Sequence, residues 1–458
     1  MNMPNEEAPS MQPPQGQMTQ PPQQQMQPPA GQMQEPQGHM MPESQGHMMQ
    51  GGHVYIQTNE VRNCIIHYLR TPDGKITEVG RIFTSGAGSG TYKPVSGQED
   101  APNAFEGANS VILTPDRRFL FATNGGDNSV SSFAVGGDGK LTLVDAKRTG
   151  NIAAAPDGAA DGRSGTAKAL QYSPSHKMLY VLHAFGPDHL RLMSVDDEGN
   201  LTPRPERYTV ALPDKPRVAT MAALTPDEKF LVVGTTFDVP VEPFPDGSAN
   251  LWVERNGVLH SRASNNPDPD GLIVFPVGAH GTLGEAKFQD GGGGSPWNVQ
   301  FLHNRPDQFL LGYAVGDGVA MGKIDEDGNL DIGPIVPVDS RWGKPSELCW
   351  LQLTPDDRMA FAVNFGYGYV TSYRIDGNVL SIAKDPASPR VHGTFRPLNG
   401  SLGSGPSDNW VCPTGEYVYQ LYPNAEKLCG YAIHPDGSLD EITSAAIPYQ
   451  SPQGLAGF

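Results

Sequence analysis

The stretch SVILTPDRRFLFATN (110–124) reads as two short β-rich runs joined by a Thr-Pro-Asp turn. Proline presets the backbone for a turn, Asp supports it by local hydrogen bonding, and the flanking runs alternate as strands do. The same unit returns as ALQYSPSHKMLYVLH (169–183), MAALTPDEKFLVVGT (221–235), NVQFLHNRPDQFLLGY (298–313), CWLQLTPDDRMAFAVN (349–364) and NWVCPTGEYVYQLY (409–422). Between successive copies lies a second signal, a turn followed by Leu or Ile. It stands at 72–76, 137–141, 197–201, 279–283, 325–330, 376–380 and 435–439. Glycine in these turns supplies positive φ without steric cost.

Internal repetition of this length points to a ring or solenoid, and the counts choose between them. There are seven turns of the second kind and six complete hairpins of the first. The seventh hairpin is divided between the termini. VYIQTN (54–59) matches the second strand LFATN without its predecessor, and SPQGLAGF (451–458) matches the predecessor without its successor. A ring of four-stranded blades that begins in mid-blade closes in this way and leaves only short edges. The fold class expected is therefore all-β, a seven-bladed β-propeller over residues 53–458. That allows roughly 58 residues per blade, more than a minimal blade needs. Three Gly/Pro-rich excursions, 86–106, 151–166 and 237–270, can hold the surplus.

Residues 1–52 differ in kind. They are almost all Met, Gln, Pro, Gly and Glu, as in QPPQQQMQPP, and cannot bury enough apolar surface to offset ordering entropy. A disordered, solubilising tail is expected. Its end places His39, His47 and His53 beside Met40, Met41, Met48 and Met49, donors that suit copper(I) in principle.

Composition narrows the function. Fifty Asp and Glu against 32 Lys and Arg give a net charge of −18. Such a field repels phosphate backbones and anionic lipid heads, so neither nucleic acid nor a membrane surface is the expected partner. No run approaches the ~18 apolar residues of a membrane helix, and no Sec-type signal is visible. Cys64, Cys349, Cys412 and Cys429 lack CxxC spacing and read as reduced, buried thiols of a cytoplasmic protein.

Several stretches imitate cofactor motifs. GAGSG (86–90) is followed by Pro94 and a loop rather than by the helix a dinucleotide site requires. DEDGNLD (325–331) has alternating carboxylates, but its twelfth position is Val336 rather than Glu, so it reads as a hairpin turn. GGGGS (291–295) lacks the Lys-Ser/Thr of a phosphate loop, and neither GxSxG nor HExxH occurs. His183 and His189 flank a loop and read as hydrogen-bonded surface residues. No cofactor and no metal is expected.

Candidate chemistry lies where the inner strands begin, because in a propeller those starts ring one mouth of the central channel. Aligning the repeats places Asn109, Lys168, Arg217, Asn298, Glu347, Asp408 and Gln453 at this register. Lys168 and Arg217 come from consecutive repeats and can clamp an anion. Glu347 and Asp408 approach from the opposite side, where an acid can move a proton.

The units LTPDRRFLFATN and LTPDDRMAFAVNFGYGYVTSYRIDGNVL, with the closing PQGLAGF, resemble the β-propeller lactonase family, over residues 53–458. That family includes bacterial 6-phosphogluconolactonase and the fungal 3-carboxy-cis,cis-muconate lactonising enzyme. CWLQLTPDDRMAFAVNFGYG is most similar to bacterial members called carboxymuconate cyclase-like. The resemblance implies carbohydrate or muconate metabolism and a hydrolase or cyclase acting on a small acidic lactone. Basic residues, a His and an acid would then surround the channel mouth. Here the steps corresponding to the family's PRH or PHS read Ala167-Lys168-Ala169, Ser295-Pro296-Trp297, Pro345-Ser346-Glu347 and Pro406-Ser407-Asp408. None carries a histidine, and only Lys168 and Arg217 keep a basic side chain. The competing expectation is a non-catalytic scaffold that binds a protein or small ligand through its rim loops, with the tail as a tether or recruitment segment.

Overall fold

The computed structural model describes residues 51–458 apart from 94–99, 105–106, 152–165, 185, 187, 211–216, 238–251, 256–257, 262–270, 340, 342–345 and 397–402. The tail reading thus falls outside the described residues, except for its last two positions. Seven antiparallel sheets form seven blades, each pairing its strands in chain order. The inner strands of blades 2–7 are Val111–Leu113, Ala167–Ser173, Arg217–Leu224, Pro296–Phe301, Leu348–Leu353 and Asn409–Val411. Blade 1 is closed across the termini: Gly52–Gln57 takes Leu455–Gly457 as its inner partner, with Tyr55 opposite Ala456. Both expectations, seven blades and terminal closure, hold. The excursion 237–270 contributes a separate hairpin, Trp252–Arg255 against Val258–Ser261.

The Thr-Pro-Asp turn has a physical role that repeats with it. The Thr114 hydroxyl donates to Asp116 Oδ1 at 2.6 Å and accepts from the Phe119 amide at 3.0 Å. Thr225 and Thr354 do the same with Asp227 and Phe230, and with Asp356 and Met359. In blade 7 the thiol of Cys412 stands in for the hydroxyl and accepts from the Tyr417 amide. Local hydrogen bonding of this kind stabilises each hairpin turn from within its own sequence.

Apolar side chains of adjacent blades interleave. One cluster runs from Met221 and Val232 of blade 4 through Phe309 and Leu311 of blade 5 to Trp350 and Val363 of blade 6. The four cysteines are buried. Among the described residues no helix is long and apolar enough to cross a membrane.

Candidate functional site at the start of the inner strands

Four consecutive inner strands carry a β-bulge near their starts. The extra residue is Lys168 in blade 3, falls at Thr220–Met221 in blade 4, is Trp297 in blade 5 and falls at Cys349–Trp350 in blade 6. A bulge re-aims the side chain it carries, and it shifts the register that a repeat alignment assumes. Simple alignment therefore picks Asn298 and Glu347, whereas the bulges fall on Trp297 and on Cys349–Trp350.

The re-aimed side chains fill the centre of the ring. Lys168 is fully buried and donates from Nζ to the Ala219 carbonyl of blade 4 at 2.7 Å. Trp350 reaches from blade 6 to the segment before the inner strand of blade 2. Its Nε1 donates to the Gly107 carbonyl at 2.9 Å. Trp297 meets Trp350 edge to face at 5.6 Å. In a ring of seven, blades 6 and 2 lie across the axis from one another, so this contact spans the channel. Gly107 has no room for a side chain, since an added Cβ would stand 2.6 Å from the Lys168 carbonyl oxygen.

Segment Gly107–Ser110 is tied down from a third direction. The Gly107 amide donates to Gln453 Oε1 at 2.7 Å, and the Ser110 hydroxyl donates to the Gln453 carbonyl. The Asn109 amide donates to Asp408 Oδ2 at 3.3 Å, with Asn109 itself at φ 62°. Asp408 also accepts from the Asn409 amide at 3.1 Å and from the amides of Gly454 and Leu455. The structure thus brings Asn109, Asp408 and Gln453 together and sets Gly107 against Lys168.

Asn298 is buried apart from them. Its Oδ1 accepts from Gln300, and its Nδ2 has no partner among the described residues. The Gln453 Nε2 and Trp297 Nε1 groups are likewise buried without a partner there. Glu347 is half-buried at φ 49°. The Arg217 side chain lies outside the described residues. Among the described side chains at these positions, Lys168, Asn298, Asp408 and Gln453 are buried, and Asn109 and Glu347 are partly exposed.

Electrostatics distinguish the acids. Burial pushes the Asp408 carboxyl up to about 7, against the opposing pull of its four backbone amides. Asp317, which the sequence reading missed, is pushed up to about 6 by burial. Its Oδ1 accepts from the Glu347 amide at 3.0 Å and from the Ser346 hydroxyl at 3.1 Å. Asn128 does the same for blade 3, accepting from the Ala167 amide at 3.0 Å. Both sit at positive φ in the turn between the second and third strands and cap the next blade. The matched turns GGDNS (125–129) and AVGDG (314–318) carried that signal.

His183 and His189 are not surface residues. His183 is buried, with Nε2 2.9 Å from the Thr149 hydroxyl, and burial pushes its imidazole down to about 3. Nδ1 of His189 accepts from the Val210 amide.

The Asp408 shift has a consequence for stability. Its folded value lies above its ordinary value of 3.8, so the folded state holds the proton more tightly. The associated stability is complete below about pH 4 and is lost as pH rises through about 7. Between pH 5 and 8 the wild-type protein should lose on the order of 2 kcal/mol from this group. Denaturant titrations across that range should show a shallower decline for Asp408→Asn, with Asp317 leaving a residual slope of the same sign. An unchanged slope would mean that Asp408 does not titrate in this window.

Comparison with known proteins agrees on architecture. No family model matches the chain, and no curated protein sequence matches it. Solved structures do. The periplasmic gluconolactonase of Pseudomonas aeruginosa superposes with a TM-score of 0.60 at 15% identity, covering 89% of this chain and 99% of that one. A Bacteroides fragilis protein described as a candidate 6-phosphogluconolactonase gives 0.63 at 15% identity, covering 91% and 99%. A second such candidate, from Bacteroides uniformis, gives 0.60 at 12% identity, covering 89% and 99%. The chain shares their fold. The resemblance read from the repeats is thus matched in three dimensions by lactonase-type propellers, over nearly the whole length of each.

Proposed function

We propose that the protein is a lactonase-like hydrolase acting on a small acidic lactone at the mouth where its inner strands begin. The observation that carries this reading is the Asp408 carboxyl set against the Asn109 amide at 3.3 Å beside the segment Gly107–Ser110, where burial pushes its pKa up. A group that changes charge near the working pH can take a proton from an attacking water and return it to the ring oxygen as the ester bond breaks. Arg217, which begins the inner strand of blade 4, would supply positive charge for the substrate carboxylate, while the buried Lys168 is held on the Ala219 carbonyl beneath it. Asn109 and Glu347, the partly exposed members, offer hydrogen bonds at the entrance. The fold shared with a gluconolactonase supports the substrate class; an aldonolactone or a muconate-type lactone fits the same charge pattern.

A second reading rests on a different observation. The Trp350–Gly107 contact fills the centre of the ring, as it would in a scaffold that binds a protein partner through its rim. The two readings part at Arg217→Ala. On the lactonase reading this change lowers kcat/KM for any lactone turned over by at least ~100-fold, the size expected for loss of a charged contact to an anion. Unchanged kinetics would remove Arg217 from the site.

A further inference from the structure

On the strand that begins blade 1, His53 lies opposite Leu69 and Tyr55 lies opposite His67. His53 and His67 are thus diagonal neighbours on one face of the sheet. Their rings converge: His53 Nδ1 is 2.9 Å from His67 Nε2, and the ring centroids are 5.0 Å apart. Tyr55 stacks on His67 at 4.9 Å and holds the turn of blade 2 in place through its hydroxyl, which donates to the Gly139 carbonyl. That turn brings Asp138 to the pair, and its charge acts on both imidazoles. The three side chains line a cleft of about 470 Å³ with Leu69, Val79, Arg81, Ile82 and Lys140.

Between two neutral imidazoles in hydrogen-bond contact, one facing ring nitrogen carries a proton and the other accepts it. A borderline divalent cation replaces that proton, since imidazole nitrogen is a good ligand for copper(II) and zinc(II). Tetrahedral bonds of about 2.0 Å set the two nitrogens roughly 3.4 Å apart, so the rings need to separate by about half an ångström. His53 is only partly buried and can turn by that amount. The carboxylate of Asp138 offsets the incoming charge, and the acidic chain favours a cation generally. Among the described residues no three His, Cys, Asp or Glu side chains form a ready-made cage, so the remaining positions belong to water or an added ligand.

We propose that His53 and His67, with Asp138 beside them, form an open divalent transition-metal site in the cleft between blades 1 and 2. Binding moves the bridging proton to the outer nitrogen of its own ring, so both imidazoles stay neutral and the two facing nitrogens coordinate the metal. The site lies on the sheet face of blade 1 and uses none of the residues assigned above to the channel mouth, so it stands or falls independently of the lactonase reading.

Copper(II) titrated into the full chain, read by calorimetry and by electron paramagnetic resonance, tests it. The chain also carries His39 and His47, so a His39→Ala/His47→Ala variant separates the two sources. The result expected is one equivalent retained in that variant, with nitrogen couplings from two imidazoles, displaced by excess zinc(II). His53→Ala should weaken this equivalent at least ~10-fold, as loss of one of two nitrogen ligands requires. His67→Ala should do the same, with far-UV circular dichroism confirming the fold. Copper lost with His39 and His47 but kept in both cleft variants would overturn the proposal. So would a spectrum with a single nitrogen ligand unaffected by His53→Ala.

Discussion

Removal of residues 451–458 is expected to abolish the cooperative folded state, although these eight residues include only a three-residue strand. Leu455–Gly457 is the inner strand of blade 1, and its ladder is extended by paired hydrogen bonds between His53 and Phe458. The Gln57 amide also donates to the Gly454 carbonyl. The segment reaches beyond its own blade as well. Ser110 donates to the Gln453 carbonyl, Ser407 donates to the Pro452 carbonyl, and Gly454 and Leu455 supply two of the four amides on Asp408. At about 1 kcal/mol for each hydrogen bond, with Leu455 and Ala456 uncovered besides, the loss is at least ~5 kcal/mol. It also exposes an unpaired edge at Gly52–Gln57, a template for aggregation. The truncated chain should collect in the insoluble fraction or unfold without a sharp transition. A soluble product with a wild-type unfolding midpoint would contradict closure through the termini.

Trp350→Ala should cost about 3–5 kcal/mol, the range for deleting a fully buried large aromatic. Three things are lost together: the edge-to-face contact with Trp297, the bond to Gly107, and the bulk that fills the ring's centre. Trp350→Phe separates them. It keeps most of the volume but leaves the Gly107 carbonyl without its donor, at a cost of about 1–3 kcal/mol. Denaturant midpoints at unchanged slope report both values. A cost below 1 kcal/mol for the alanine variant would mean that Trp350 does not span the channel.

The hairpins and the closure were legible because each depends on local chemistry that recurs. Thr, Pro and Asp at fixed spacing make the same turn three times, and a strand at each end lacking its partner can only be completed by the other. The site was less legible for an equally specific reason. A bulge adds one residue without leaving a mark in the repeat, so the sequence singled out Lys168 but not Trp297 and Trp350, which the bulges of blades 5 and 6 re-aim. Asp408 and Gln453, picked at the same register, both contact the segment Gly107–Ser110. Their burial under Gly107–Ser110 was not visible, since that segment looks like any loop rich in small residues. Asp317 was missed although the turn it shares with Asn128 repeats, because attention fell on strand starts rather than on the turns that cap them.

The claim most open to direct test is that the channel mouth hydrolyses lactones through Asp408. Acid release from a panel of aldonolactones and muconate-type lactones, followed by pH-stat with the full chain and with Asp408→Asn, tests it most directly. The account predicts turnover of at least one acidic lactone by the wild-type protein. It also predicts a fall of at least ~100-fold in the variant, the scale of a lost general acid–base group, with the fold intact. Turnover of none of them, or equal turnover by both proteins, would contradict it.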